Sequence, residues 1–294
     1  MGLMGVKDDI KSAWNKQDEL GKLLAAIAIA TIIFWILGRI SPRVASWFVL
    51  PPDLWDFMLQ PWSIVTYGFQ HSGLWHLLVN VLLMYTFGRF VLNIFRPRQL
   101  YALFFMGVLI GGGLYLIVQN LFPTYVNSGG LIGASAGVYA VSLFTCTYFP
   151  ETLVRLIFFD VKLKYLGIAF AVFIIAGLLS GSNMGGEIAH LGGALSGYLL
   201  ATKMRDGSDY LTSFADWWSK IAKIFSFDGT QKSKRKSKMK TVHKSKSRKK
   251  STRKTDDASD HQNRIDQILD KISDSGYDSL TKEEKDFLFK AGKN

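Results

Sequence analysis

The sequence predicts an all-α membrane protein, a bundle of six transmembrane helices with an interfacial first outer loop. Three observations carry that reading. Residues 23 to 201 hold apolar stretches too long and too poor in charge for a soluble core, and a membrane span needs about 20 mostly apolar residues. Lys and Arg gather on one side of those stretches. The rest of the chain is polar and basic, and most of the formal net charge of +12 lies in the C-terminal tail, so charge says little about the apolar part.

Residues 1–20 have no signal-peptide layout, because charge is spread through them and no small-residue cleavage site follows the first apolar run. Val6 stands where a myristoylation pattern needs Ser or Thr. A cytoplasmic N-terminal segment is expected there. The six apolar segments, within residues 21–205, are Leu23–Gly38, Leu74–Phe95, Leu100–Leu121, Ile132–Phe149, Leu166–Leu179 and Ile188–Ala201. Each must be helical in hydrocarbon, where every backbone group needs an internal partner. Several are short, which implies a thin or distorted fit to the bilayer. Arg96 and Arg98 follow the second segment, Arg155, Lys162 and Lys164 the fourth, and Lys203 and Arg205 the sixth, whereas "FPTYVNSGG" and "SGSNMGGE" carry no cation. Those two loops therefore face outward and both termini face the cytoplasm, with Arg39 and Arg43 outvoted. The single cysteine, Cys146, forms no intrachain disulfide and gives no redox compartment.

The loop from Ile40 to Gln70 is dense in large aromatics, and Trp47, Phe48, Trp55, Phe57 and Trp62 read as a segment dipping into the headgroup region. Beyond the sixth segment, Leu211, Phe214, Trp218, Ile221 and Phe225 recur at helical spacing, which predicts an interfacial amphipathic helix within 206–230. Residues 231–257 form a disordered basic linker, whose run from 232 to 254 has no acid. Anionic lipid is its expected partner. Nucleic acid is not expected, because no aromatic residues interleave with the cations. In 258–294, Ile265, Ile268, Leu269 and Ile272 share a helix face, and Thr281 with Glu284 fits a capping box that opens a second helix bearing Phe287 and Leu288. Such a small helical hairpin buries little alone and is expected to dock.

Polar side chains at membrane depth are costly and usually functional. They are His76, Asn80, Ser135 and His190, with Glu187 at the edge. The second, fourth and sixth segments all enter from the outward side, so these four lie at one shallow depth on parallel helices. His76 and Asn80 are four apart and share a face, so both can donate toward one point. His190, Gly193 and Gly197 form one stripe, and Gly133, Ala136, Gly137 and Ala140 form another. Small residues let helices approach closely, so packing those stripes together brings His190 to Ser135.

A serine beside a histidine is the minimum for nucleophilic catalysis, since imidazole takes the hydroxyl proton and returns it to the leaving group. No intramembrane Asp is available as a third member, so a Ser135–His190 dyad is expected. His76, Asn80 and the Ser135 N–H are the candidate oxyanion donors. Taken singly, each residue has a plainer use: a membrane-helix Ser bonds back to its own carbonyls, and Tyr139 packs. Gly133-Ala-Ser135-Ala-Gly137 matches GxSxG, yet lacks the strand–turn–helix setting that gives the motif its hydrolase meaning. Glu187 and His190 match the Glu-x-x-His of di-iron bundles, but no other acid lies inside the spans, so neither metal nor other cofactor is expected. His71 reads as a loop or interface residue. A transporter would place its polar residues near the midplane on broken helices, not under one face.

The stretches "HSGLWHLLVN" (71–80), "GASAGVYA" (133–140) and "AHLGGALSG" (189–197) resemble the rhomboid intramembrane serine proteases in order and in segment. The resemblance covers roughly Gly21 to Lys203. It implies a rhomboid-like bundle in which Ser135 is the nucleophile, His190 the general base, and His76 and Asn80 the oxyanion hole. It further implies that Gly133 permits the close turn before the nucleophile and that Tyr139 stacks on His190. The implied substrates are single-span membrane proteins, cleaved in or near the membrane, with the fifth helix as gate. A multi-pass protein of the bacterial inner membrane follows from the same resemblance. Ala136 replaces a glycine common in bacterial members, and Trp62-Ser63 replaces a Trp-Arg pair in their first outer loop. A catalytically silent rhomboid-fold protein that binds membrane clients is the alternative; such relatives usually lack the serine or the histidine, and both are present here.

Overall fold

The computed structural model describes residues 12–126, 129–156, 158–225 and 256–291. The chain divides into two compact units, Met1–Gly229 and Thr230–Asn294.

In the first unit each apolar segment forms a helix: α1 (Glu19–Ile40), α2 (Leu74–Leu92), α3 (Pro97–Leu121), α4 (Ser135–Tyr148), α5 (Leu163–Ser180) and α6 (Met184–Arg205). Local chemistry sets the ends. Asp18 caps α1 by accepting from the Gly21 N–H at 2.7 Å. Pro97 opens α3, where its missing N–H costs nothing. Gly181 closes α5 at φ 67°, the left-handed conformation glycine adopts freely. Helices α1, α2, α3 and α5 are each long and apolar enough to cross a membrane. Ile29, Ile32 and Ile33 on α1 and Ile168, Val172 and Phe173 on α5 are exposed. Apolar belts of that kind face lipid in a multi-pass membrane protein.

Helix α4 is only 14 residues long and sits at the centre, buried from Ala136 to Cys146 except at Tyr139. Glycines on its neighbours admit it. A Cβ at Gly111 of α3 would lie 2.6 Å from the Ala136 Cβ. Cβ atoms at Gly193 and Gly197 of α6 would strike the Ala136 and Ala140 carbonyl oxygens. Of the two small-residue stripes expected from the sequence, Ala136 and Ala140 meet Gly193 and Gly197 backbone to backbone, whereas Gly137 faces Phe104 of α3 and Gly133 faces His76 of α2.

The structure adds to the expected all-α picture. The loop after α4 forms an antiparallel hairpin of β1 (Leu153–Leu156) and β2 (Phe159–Lys162). Glu151 at its base bridges Lys162 at 2.7 Å and Lys164 at 2.6 Å, so two cations that signal sidedness are also structural clamps. Those two ammonium groups hold the Glu151 carboxyl down to about 2. The helix expected in 206–230 is α7 (Tyr210–Phe225). It does not simply lie on a surface. Leu211 is buried, Arg98 pairs with Asp216 at 3.0 Å, and Phe105 stacks on Trp218 at 6.0 Å, which fixes α7 against α3. In the loop between α1 and α2, Trp62 stacks on Trp47 at 5.9 Å and donates to its carbonyl. Most of residues 1–20, the basic linker, and the side chains of Ile221 and Phe225 lie outside the described residues.

The second unit contains α8 (Asp256–Ser275) and α9 (Lys282–Ala291). The expected capping box is formed, with the Thr281 N–H on Glu284 at 2.8 Å and the Glu284 N–H on the Thr281 hydroxyl at 3.3 Å. Ile268 and Leu280 are buried, whereas Leu269, expected on the same face, is exposed.

Replacing an interior helix glycine by alanine ordinarily stabilises a helix by about 1 kcal/mol. At Gly197 the new methyl meets the Ala140 carbonyl. Gly197→Ala is therefore expected to destabilise by roughly 1–3 kcal/mol, read as a lower thermal unfolding midpoint in detergent; a raised midpoint contradicts the packing.

Candidate active site

The chain enters α4 through a pinned extended segment. Leu50 and Leu131 exchange backbone hydrogen bonds at 3.2 and 2.8 Å, and the Gly133 N–H donates to the Tyr67 carbonyl at 2.9 Å. Gly133 has φ +126°, which L side chains rarely adopt, and a Cβ there would press on the His76 ring, 2.9 Å from Nε2, and lie 3.4 Å from Ser135 Oγ. Glycine is thus required twice over, by its backbone angle and by the space between two polar side chains. Ser135 follows as the first residue of α4, where a backbone N–H has no acceptor within the helix.

The glycine contact of α6 with α4 delivers His190. Its Nε2 lies 2.8 Å from Ser135 Oγ. Tyr139, one turn beyond Ser135, stacks on the imidazole at 4.5 Å with 13° between ring planes. The ring face is thereby fixed. His190 is in the second turn of α6, since the helix starts at Met184, ahead of the apolar segment that marks it in the sequence.

His76 lies beside Gly133 from the α2 side. Its Nδ1 faces the Ser72 hydroxyl at 3.1 Å and the Ser72 N–H at 3.5 Å. An Nδ1 that accepts leaves the neutral ring's proton on Nε2, the nitrogen near Gly133. Asn80 is buried, and its amide donates to the His76 carbonyl one turn earlier at 2.9 Å. One amide hydrogen is therefore engaged within the helix, and the second is the one left to give. The expectation that His76 and Asn80 aim freely at a common point is corrected to that extent.

Two residues carry more than the sequence suggests. His71 is buried, 3% exposed, and is not a simple loop residue. Its Nδ1 meets the Thr31 hydroxyl of α1 at 2.8 Å, and its Nε2 accepts the Ala134 N–H at 3.4 Å. Thr31 in turn donates to the Phe69 carbonyl at 3.0 Å, so the Nδ1–H of His71 is the donor in the first contact. The ring also meets His76 edge to face at 4.9 Å. His71 thus ties α1 to the turn before Ser135; a spacing rule for helix faces gives no signal for it because it precedes α2. Glu187 places Oε2 3.1 Å from His190 Nδ1. Where the sequence predicts a pair alone, a carboxylate also reaches the imidazole, from three residues earlier on the same helix. Among the described residues, no cluster of three or more His, Cys, Asp or Glu side chains could hold a metal.

Burial, with the His76 ring beside it, pushes the His71 imidazole down to about 4. An unfolded histidine titrates near about 6.5. Between those values the unfolded chain binds a proton that the fold excludes. This contribution to stability is full above about pH 6.5 and is lost as the pH falls toward about 4. The thermal midpoint in detergent is expected to fall across that window, and His71→Gln to flatten the dependence; an equal slope in both proteins contradicts the assignment.

With this geometry in view, comparison with known proteins is direct. Residues 58–206 match a family model for the rhomboid domain, and residues 256–292 match one for a family of unknown function (DUF6576). Presenilin-associated rhomboid-like protein A, mitochondrial, of Danio rerio is 30% identical over 199 residues, covering 66% of this chain and 50% of that protein. Presenilin-associated rhomboid-like protein, mitochondrial, of Homo sapiens is 26% identical over 208 residues, covering 67% and 52%. Rhomboid-like protein 16, chloroplastic, of Arabidopsis thaliana is 26% identical over 174 residues, covering 51% of each. The chain spans about half the length of the curated relatives it matches. The matched region runs from the loop between α1 and α2 through the helix that bears His190, and on that match the chain belongs to the rhomboid family.

Proposed function

We propose that the protein is a serine-type intramembrane endopeptidase. The observation that carries this reading is the 2.8 Å contact between Ser135 Oγ and His190 Nε2, on two helices held together by glycine. In the reaction, Ser135 Oγ attacks the scissile carbonyl carbon as its proton passes to His190 Nε2. The C–N bond then breaks, His190 protonates the departing nitrogen, and an acyl-Ser135 ester remains. Water, giving a proton to His190, attacks that ester; the new carboxyl leaves and Ser135 recovers its proton. The Ser135 N–H, His76 Nε2–H and the second amide hydrogen of Asn80 are the donors to the oxyanion. Gly133 gives the substrate carbonyl room beside Ser135, Tyr139 holds the imidazole plane, and Gly193 and Gly197 hold the helices at contact distance.

In this reading all six helices of 21–205 span the membrane, with both termini cytoplasmic, and single-span membrane proteins are the substrates. The short α4 is tolerated because α3 and α6 pack closely against it. Segment 1–20 and helix 206–230 flank the catalytic unit. Linker 231–257, with its excess of cations, is drawn to anionic lipid, and 258–294 is a separate hairpin. A bacterial inner membrane is expected from the sequence resemblance alone, since the relatives are named as mitochondrial or chloroplastic.

Labelling with a fluorophosphonate tests the nucleophile. Wild-type protein in detergent is expected to label, and Ser135→Ala and His190→Ala are not; undiminished labelling of Ser135→Ala contradicts the assignment. Folded wild type that neither labels nor cleaves a single-span reporter supports a silent, client-binding protein instead. Loss of one oxyanion donor costs about 100-fold in kcat. His76→Ala is expected to show that drop with its unfolding midpoint retained, and a kcat unchanged from wild type removes His76 from the oxyanion site.

A further inference from the structure

The carboxylate on the far side of His190 has a use that a two-residue mechanism leaves unexplained. Glu187 and His190 side chains are only 17% and 16% exposed. Ion pairs three apart on helix surfaces are common and weak, but this one is enclosed. The Glu187 side chain fits into a niche on α5 where Gly177 has no side chain; a Cβ there would lie 2.6 Å from Oε1 and strike the carboxyl carbon. The acid also stands in the first turn of α6, where the helix N-terminus favours negative charge. Around the imidazole, Ser135 Oγ meets Nε2, Tyr139 covers the face, and Glu187 Oε2 meets Nδ1 at 3.1 Å.

A carboxylate only accepts, so its partner Nδ1 must carry the imidazole proton. That leaves the lone pair of Nε2 directed at the Ser135 hydroxyl, the tautomer a general base requires. We propose that Glu187 is a positioning residue for His190, fixing its tautomer and stabilising the imidazolium formed when Ser135 gives up its proton. The site then works as Ser135–His190–Glu187, with the Gly177 niche on α5 holding the third member. This deepens the protease reading and rests on it. Because the niche belongs to α5, displacement of that helix would carry the wall of the Glu187 site with it.

Glutamine keeps the shape that fills the niche, but it carries no negative charge to stabilise the imidazolium, and its amide can offer either an oxygen or an N–H to Nδ1, so neither charge nor tautomer is held. Full-length protein in proteoliposomes, with a fluorescent single-span reporter carrying Ala at the cleaved position, gives kcat and KM separately. Glu187→Gln is expected to lose about 100-fold in kcat, with KM and the unfolding midpoint held, and Glu187→Asp to retain more activity than Glu187→Gln. A role limited to packing predicts the reverse order, because glutamine packs better than aspartate. A kcat loss for Glu187→Gln below about tenfold, or a Gln variant as active as the Asp one, overturns the inference. If Glu187→Gln does not fold, Gly177→Ala reads the same point, since its methyl displaces an intact carboxylate; kcat within a factor of two of wild type then overturns it. Activity lost in Ser135→Ala but kept in Glu187→Gln sinks this inference alone. Activity kept in Ser135→Ala sinks the reading beneath it as well.

Discussion

The contact on which the structure depends is the meeting of α6 with α4 at backbone distance. Gly193 and Gly197 lie against the carbonyl oxygens of Ala136 and Ala140, with no side chain between. In lipid, where no water drives helices together, association relies on such close packing. The same contact sets the chemistry, because Ser135 precedes Ala136 by one residue and His190 precedes Gly193 by one turn. Bringing the backbones together leaves the hydroxyl and the imidazole 2.8 Å apart. The geometry proposed for catalysis and the core packing are therefore one constraint, which places so short a helix as α4 in the middle of the bundle.

Around that contact the polar residues form a connected set. Thr31 on α1 holds His71, His71 holds the Ala134 N–H, and His76 packs on both His71 and Gly133. The buried His71 ring finds hydrogen-bond partners on two different elements, which offsets the cost of burying it. The turn into α4 is consequently braced from α1, α2 and the loop between them. Precision of that kind is what a nucleophile needs, since small misplacements are expensive in rate.

Much of this was legible in the sequence because the signals were periodic or compositional. The apolar segments gave α1 to α6, and the spacing of Gly193 and Gly197 from His190 gave the contact with Ser135. The capping box at Thr281 and Glu284 was readable from two residues. What was not legible depended on tertiary contact. Glu187 looked like a loop-edge acid because it precedes the apolar run, yet the helix begins three residues before it and carries it inward. His71 lies in a turn, and only the fold shows that α1 covers it. The β1–β2 hairpin has Leu153 and Phe159 exposed and no alternation strong enough to announce a strand. Leu269 follows Ile268 by one residue, about 100° further round the helix, and that rotation carries it to the exposed side.

The central claim is that helix packing makes one particular hydroxyl reactive among the many serines in the chain. Peptide mapping by mass spectrometry after exhaustive fluorophosphonate treatment measures that directly. The account predicts a single adduct, on the peptide bearing Ser135. An adduct on another serine with Ser135 unmodified would contradict it.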